Sequence, residues 1–167
     1  MQFIKHHTAL SVLLLVVFLA VAFVLYPVFV RQRGSRIDTC AAHLSLLGVA
    51  LQAYAADYDG RLPNALTWPE DLRPYFQDQE LLHCPEDTRQ GERSYEMLQR
   101  WGGQRLPEAK AHHLILLYEI GKYGLEYRHY DGIYLGHGDG HVKWYRQEKM
   151  TPETILGGLV PVPEAEP

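Results

Sequence analysis

The residue types best able to do chemistry sit in the last third of the chain: His129, His137, Asp139 and His141. Imidazole nitrogens and a carboxylate suit zinc or a similar divalent ion. Yet His137 and His141 flank Gly138-Asp139-Gly140, a tight-turn sequence, and turns hold polar residues for reasons of their own. No His-x-x-x-His on a helix and no glutamate partner accompanies them. The stronger expectation is a structural turn motif of His129, Asp139 and Gly140. In it Asp139 bonds its own turn backbone, and His129 braces the hairpin from the neighbouring strand. Neither a metal nor another cofactor is expected.

The other candidates are weaker still. Asp57, Asp59 and the carbonyls near Gly60 offer oxygen ligands, but two carboxylates fall short of a calcium loop. A helix-terminating turn is the better reading. His6-His7 and His112-His113 lack a visible third ligand. Ser45 and Ser94 have no glycine elbow, and neither cysteine lies in a catalytic sequence, so the chain is not expected to be an enzyme. Trp68, Trp101 and Trp144 read as packing residues. Cys40 and Cys84 have no CxxC partner, which argues against structural zinc. In an oxidising compartment they would pair, closing a loop of about 45 residues worth about 4 kcal/mol in the chain-entropy model. In a reducing one, Cys40 is a small buried apolar residue and Cys84 a free thiol. A net charge of −4 speaks against nucleic acid as a partner.

These residues need elements to position them, and one long helix over residues 8–58 dominates the chain. Residues 8–30 contain no charge and, as a helix, reach about 34 Å, enough to cross a bilayer core. Pro27 lies inside this segment and should bend it without ending it. Arg31, Arg33 and Arg36 follow, a basic cluster suited to lipid headgroups. Ala20-Val21-Ala22 has the spacing of a signal-peptidase site, but the apolar run continues beyond it, so an uncleaved anchor is expected. Beyond the arginines, Ile37, Cys40, Ala41, Leu44, Leu47, Gly48, Leu51, Tyr54, Ala55 and Tyr58 form one apolar stripe. Asp59-Gly60 and Pro63 stop the helix.

The expected organisation is an anchor over 1–30, a soluble domain over 31–150 and a largely disordered tail over 151–167. Within the domain, a helix over 31–58 precedes a loop-rich middle over 59–110 and an antiparallel sheet over 111–146. The middle should hold a short helix near 68–76, and residues 94–98 fit either a strand or a helical turn. Strands are expected at 113–118, 125–129, 132–136 and 141–145, joined by glycine turns into a meander. The fold class is α+β, with the apolar face of the sheet on the helical stripe.

Several motifs, in order, resemble a known architecture. Tyr26-Pro27-Val28-Phe29 precedes the arginines; residues 40–63 read CAAHLSLLGVALQAYAADYDGRLP; Trp68, Leu72, Pro74-Tyr75 and Leu82-His83-Cys84-Pro85 follow. His129 is then separated by nine residues from Asp139-Gly140. Over roughly residues 20–146 this is similar to type IV pilins and type II secretion pseudopilins, and to a bacterial family of unassigned function with the same His-x9-Asp-Gly ending. The resemblance implies a pilin-like fold in the bacterial inner (cytoplasmic) membrane, single-pass, with the soluble domain outside the cytoplasm. The membrane, through residues 8–30, and other pilin-like or secretion-system subunits are the implied partners. Such relatives begin with a Gly-Phe-Thr-Leu-Ile-Glu peptidase motif. Here the glycine position falls on Lys5 and the glutamate position on Leu10, which implies a minor or non-assembling, permanently anchored subunit. The three arginines alone would keep the domain in the cytoplasm by the positive-inside rule; the resemblance implies the reverse. The alternative function is an anchored extracytoplasmic binding or sensor module.

Overall fold

The computed structural model describes residues 2–89 and 91–158; for residues 2–12, 28–35, 108 and 109 the description covers the backbone alone. The expectations placed on the side chains of Lys5, His6, His7, Leu10, Arg31 and Arg33, and on residues 159–167, lie outside it. Helix α1 runs Gln2–Asp57 with Pro27 inside it. Two compact units divide the chain, Met1–Arg36 and Ile37–Pro167.

Within the first unit, residues 13–27 are exposed all round, with Phe18 at 68% and Phe23 at 82% of full accessibility. Apolar side chains left on every face of a helix need an apolar surrounding. By length and composition the stretch Arg36–Asp57 is also apolar enough to cross a membrane. Its packing assigns it elsewhere. Ile37, Cys40, Leu44, Leu47, Ala50, Leu51 and Ala55 are buried at steps of three and four, facing the rest of the second unit. The shorter stretch Leu13–Pro27 has no such burial.

The second unit is α+β. After α1, Gly60 adopts φ +77° and its N–H bonds the Ala55 carbonyl, closing the helix. Tyr58, expected on the inner stripe, is half-exposed and stacks on Tyr54 instead. Next come α2 (Trp68–Asp71) and 3₁₀ turns at Arg73–Tyr75 and Gln79–Leu82. Five strands form one antiparallel sheet: β1 (Tyr95–Met97), β2 (Ile115–Gly121), β3 (Gly124–Leu125), β4 (Gly132–His137) and β5 (Val142–Arg146). The order is β1-β2-β4-β5, with β3 paired to β2.

Three expectations need correction. The sheet, expected over 111–146, begins earlier: of the two readings of residues 94–98 the strand holds, and Tyr95 and Met97 bury their side chains as β1 pairs with β2. The strand expected at 125–129 stops at Leu125: beyond it Arg128 pairs with Glu126, and His129 turns its ring to Glu119 in a buried polar network. The tail expected from residue 151 begins with a helix, α3 (Pro152–Gly157), capped by Thr151 and closed by Gly158 in the left-handed region. Ile155 and Met150 seal a second apolar cluster with Leu98, Ile115, Ile133 and Leu135. The sheet is therefore covered on both faces, which explains the near-continuous apolar run in β2.

Candidate functional site

Cys40 and Cys84 form a disulfide across a sequence separation of 44 residues, with a Cα–Cα distance of 4.9 Å. It fastens the inner face of α1 to the loop after the second 3₁₀ turn. Tyr95 donates to the Cys40 carbonyl at 3.2 Å, and burial pushes its phenol well above the usual range. Among the described cysteines none is free.

Around the disulfide lies a buried polar centre. Glu119, from β2, has no exposed surface; one of its oxygens lies 2.8 Å from His129 Nε2, and the other accepts from the Tyr134 N–H at 3.0 Å. His129 Nε2 is also 3.6 Å from Cys84 Sγ. The His129 backbone is held by exchanged hydrogen bonds with Gly132 across Tyr130 and Asp131, both at positive φ, as a two-residue hairpin turn requires. Trp144 donates its indole N–H to the His129 carbonyl at 2.8 Å. That ring lies so close over Gly132 that any Cβ there would collide with it.

A second layer carries charge. Asp87 accepts from Arg89 Nη2 at 2.6 Å and Nε at 3.1 Å, from Ser94 Oγ at 2.7 Å and from Arg128 Nη2 at 3.1 Å. Burial pushes the Asp87 carboxyl up, but the Arg89 bonds, helped by Ser94 and the Arg128 charge, more than offset this and hold it at about 2. Ser94 Oγ in turn accepts from the Cys84 N–H at 2.9 Å. Arg128 also reaches Glu126 at 2.6 Å and the Ile120 carbonyl at 2.8 Å. Its Nη1 lies 4.0 Å from Glu119 and, like His129 Nδ1, has no hydrogen-bond partner.

The turn residues lie at the other end of β4. Asp139 accepts from the His141 N–H at 3.2 Å and lies 2.5 Å from the His141 ring. His137 stacks on His141 at 4.1 Å, its Nε2 3.3 Å from the Tyr145 hydroxyl. Burial pushes the His137 imidazole down to about 4, reinforced by His141, Lys143 and His113 and opposed by Asp139. The turn docks on α1: Gln52 donates to the Gly138 carbonyl at 3.3 Å, and a Cβ on Gly48 would lie 3.1 Å from Gly140 Cα. Beside it runs a groove of about 490 Å³ between Gln52, Ala56, Leu106 and Asp139.

His129 and Asp139 are thus not brought together, and His129 braces the disulfide centre rather than the Asp139-Gly140 hairpin. Nor do His129, His137, Asp139 and His141 converge as ligands, since His137 and His141 stack face to face. Among the described residues the one grouping of three or more His, Cys, Asp or Glu ligand atoms is Cys40, Cys84 and His129, all within 4.8 Å of one another. His112 and His113 contact only each other's rings among described aromatic pairs, and Asp57 accepts from Tyr75. Sequence reasoning missed Glu119, Asp87, Arg89 and Arg128. The legible signal was Glu119 itself: a carboxylate inside an apolar strand must find partners. No family model, curated protein or solved structure matches the chain.

Proposed function

We propose that this chain is a membrane-anchored, pilin-like structural subunit of a secretion or pilus-type envelope apparatus, minor or non-assembling. Residues 8–30 anchor it in the bacterial inner membrane and the disulfide-bonded domain lies outside the cytoplasm. The observation that carries the reading is the contrast along α1. Residues 13–27 leave apolar side chains exposed on every face, whereas residues 37–55 bury one face in the core of an α+β domain. A disulfide in that domain favours an oxidising compartment. The absence of Gly and Glu at positions 5 and 10 favours a subunit that does not enter a filament by the usual amino-terminal pairing. Its role is packing, and no catalytic step is assigned to it.

The test combines topology and company. An alkaline wash should leave the chain in the membrane fraction, and a Leu14→Glu/Leu19→Lys variant should release it. A reporter fused after Pro167 should be active only outside the cytoplasm, and crosslinking in native membranes should capture pilin-like or secretion-system subunits. A wild-type chain washed off at high pH, or a reporter active only in the cytoplasm, would overturn the reading.

A further inference from the structure

The three ligand atoms beside the disulfide have a geometry the disulfide itself does not need. Cys84 Sγ and His129 Nε2 lie 3.6 Å apart, and both sulfurs and the imidazole nitrogen fall within 4.8 Å of one another. A tetrahedral zinc ion, with Zn–S about 2.3 Å and Zn–N about 2.0 Å, sets its sulfur and nitrogen ligands about 3.5 Å apart. The fourth ligand lies beside this grouping but outside it. The Glu119 oxygen, 2.8 Å from His129 Nε2, must swing away from that nitrogen and onto the ion to complete the shell. We propose that when the disulfide is reduced, Cys40, Cys84, His129 and Glu119 form a closed binding site for zinc or another thiophilic divalent ion.

Burial and charge support a site of this kind. Cys40, Cys84, Glu119 and His129 are each no more than 2% exposed, so no water need complete the shell, and closed four-ligand shells are structural rather than catalytic. Two thiolates and a carboxylate around a dication leave one net negative charge. Arg128, itself buried, places its unpartnered Nη1 4.0 Å from the Glu119 oxygen, where it offsets that charge. The ligands come from α1, the loop before β1, β2 and the turn before β4. A metal would therefore hold the same elements together that the disulfide holds.

The exchange balances as follows. A dithiol reductant supplies two electrons and two protons, the S–S bond breaks, and the reductant leaves as its own disulfide. The dication then displaces both thiol protons as two metal–sulfur bonds form. The two sulfurs must separate, to about 3.8 Å at Zn–S about 2.3 Å, and the Glu119 carboxylate must swing onto the ion. The site would thus maintain the domain wherever the disulfide cannot persist, and it does not depend on the chain's being a pilin-like subunit.

The whole chain, in detergent, is reduced with a phosphine, equilibrated with zinc, freed of excess metal and assayed by elemental mass spectrometry. The reduced protein should retain about one zinc per chain and the disulfide form none. Cobalt(II) should give the reduced wild type the sulfur-to-metal charge-transfer band and intense visible bands of a tetrahedral site. His129→Gln should weaken metal binding by about ten-fold or more, and Glu119→Gln should weaken it by about 10–100-fold. Equal zinc in the two redox forms, a cobalt spectrum without the sulfur band, or unchanged affinity in His129→Gln would each overturn the proposal. The wild-type cobalt spectrum is decisive even if a variant does not fold.

Discussion

The two ends of β4 hold the same kinds of side chain and use them in opposite ways. At its start, His129 meets Glu119 under the disulfide with almost no exposed surface. At its far end, His141 meets Asp139 with side chains about two-fifths exposed. The first pair has lost its water, so each partner must satisfy the other or remain buried and unsatisfied. The second retains solvent as an alternative partner, so its contact is worth little by itself. Identical chemistry becomes structural at one end and decorative at the other because the surroundings differ.

Mutation should expose this contrast most sharply at Glu119. Glu119→Ala leaves His129 and the Tyr134 N–H without their acceptor, and should cost about 3–5 kcal/mol in denaturant unfolding, the usual penalty for breaking a buried pair. A loss below about 1 kcal/mol, the range of exposed pairs, would place the two ends on the same footing. Next in size, Cys40→Ser/Cys84→Ser in metal-free buffer should cost about 2–4 kcal/mol, with the added stability of the wild type disappearing under reductant. Thermal melts with and without reductant measure it.

At the turn end, the expected sensitivity lies in backbone packing rather than charge. Gly48→Ala forces a methyl against Gly140 Cα and should cost about 1–3 kcal/mol, whereas Asp139→Ala should stay within about 1 kcal/mol. If Asp139→Ala proved the more damaging of the two, the ranking would fail. Acid titration separates the ends by pH. His137 has its folded pKa pushed down from 6.5 to about 4, so the unfolded chain takes up the proton first and stability falls as pH drops through that window. Asp87 is held at about 2 against an ordinary 3.8, so its contribution is present above 3.8 and is lost on the way to 2. His137→Asn should abolish the upper limb of the acid-unfolding profile and Asp87→Asn the lower. A profile unchanged by both substitutions would refute the assignment.

What the sequence determined is what local periodicity and chain chemistry can specify. Residues 8–30 carry no charge, the stripe from Ile37 to Ala55 repeats at steps of three and four, and Gly138-Asp139-Gly140 marks a turn; each follows from neighbours within a few positions. Pairing of Cys40 with Cys84 was legible as one of two outcomes because only two cysteines exist. What the tertiary structure decided depends on contacts between residues distant in sequence. Tyr95 became a strand because Glu119 lies opposite it in register, and residues 152–157 became a helix because Ile155 could close the second face of the sheet. His129 left the turn motif suggested by its spacing from Asp139, because the strand between them carries the two residues to opposite ends while Glu119 and Cys84 converge on His129 from elsewhere in the chain. Spacing along a sequence constrains neighbours on one element; burial, which sets the worth of a charge or an imidazole, is fixed only when the elements pack.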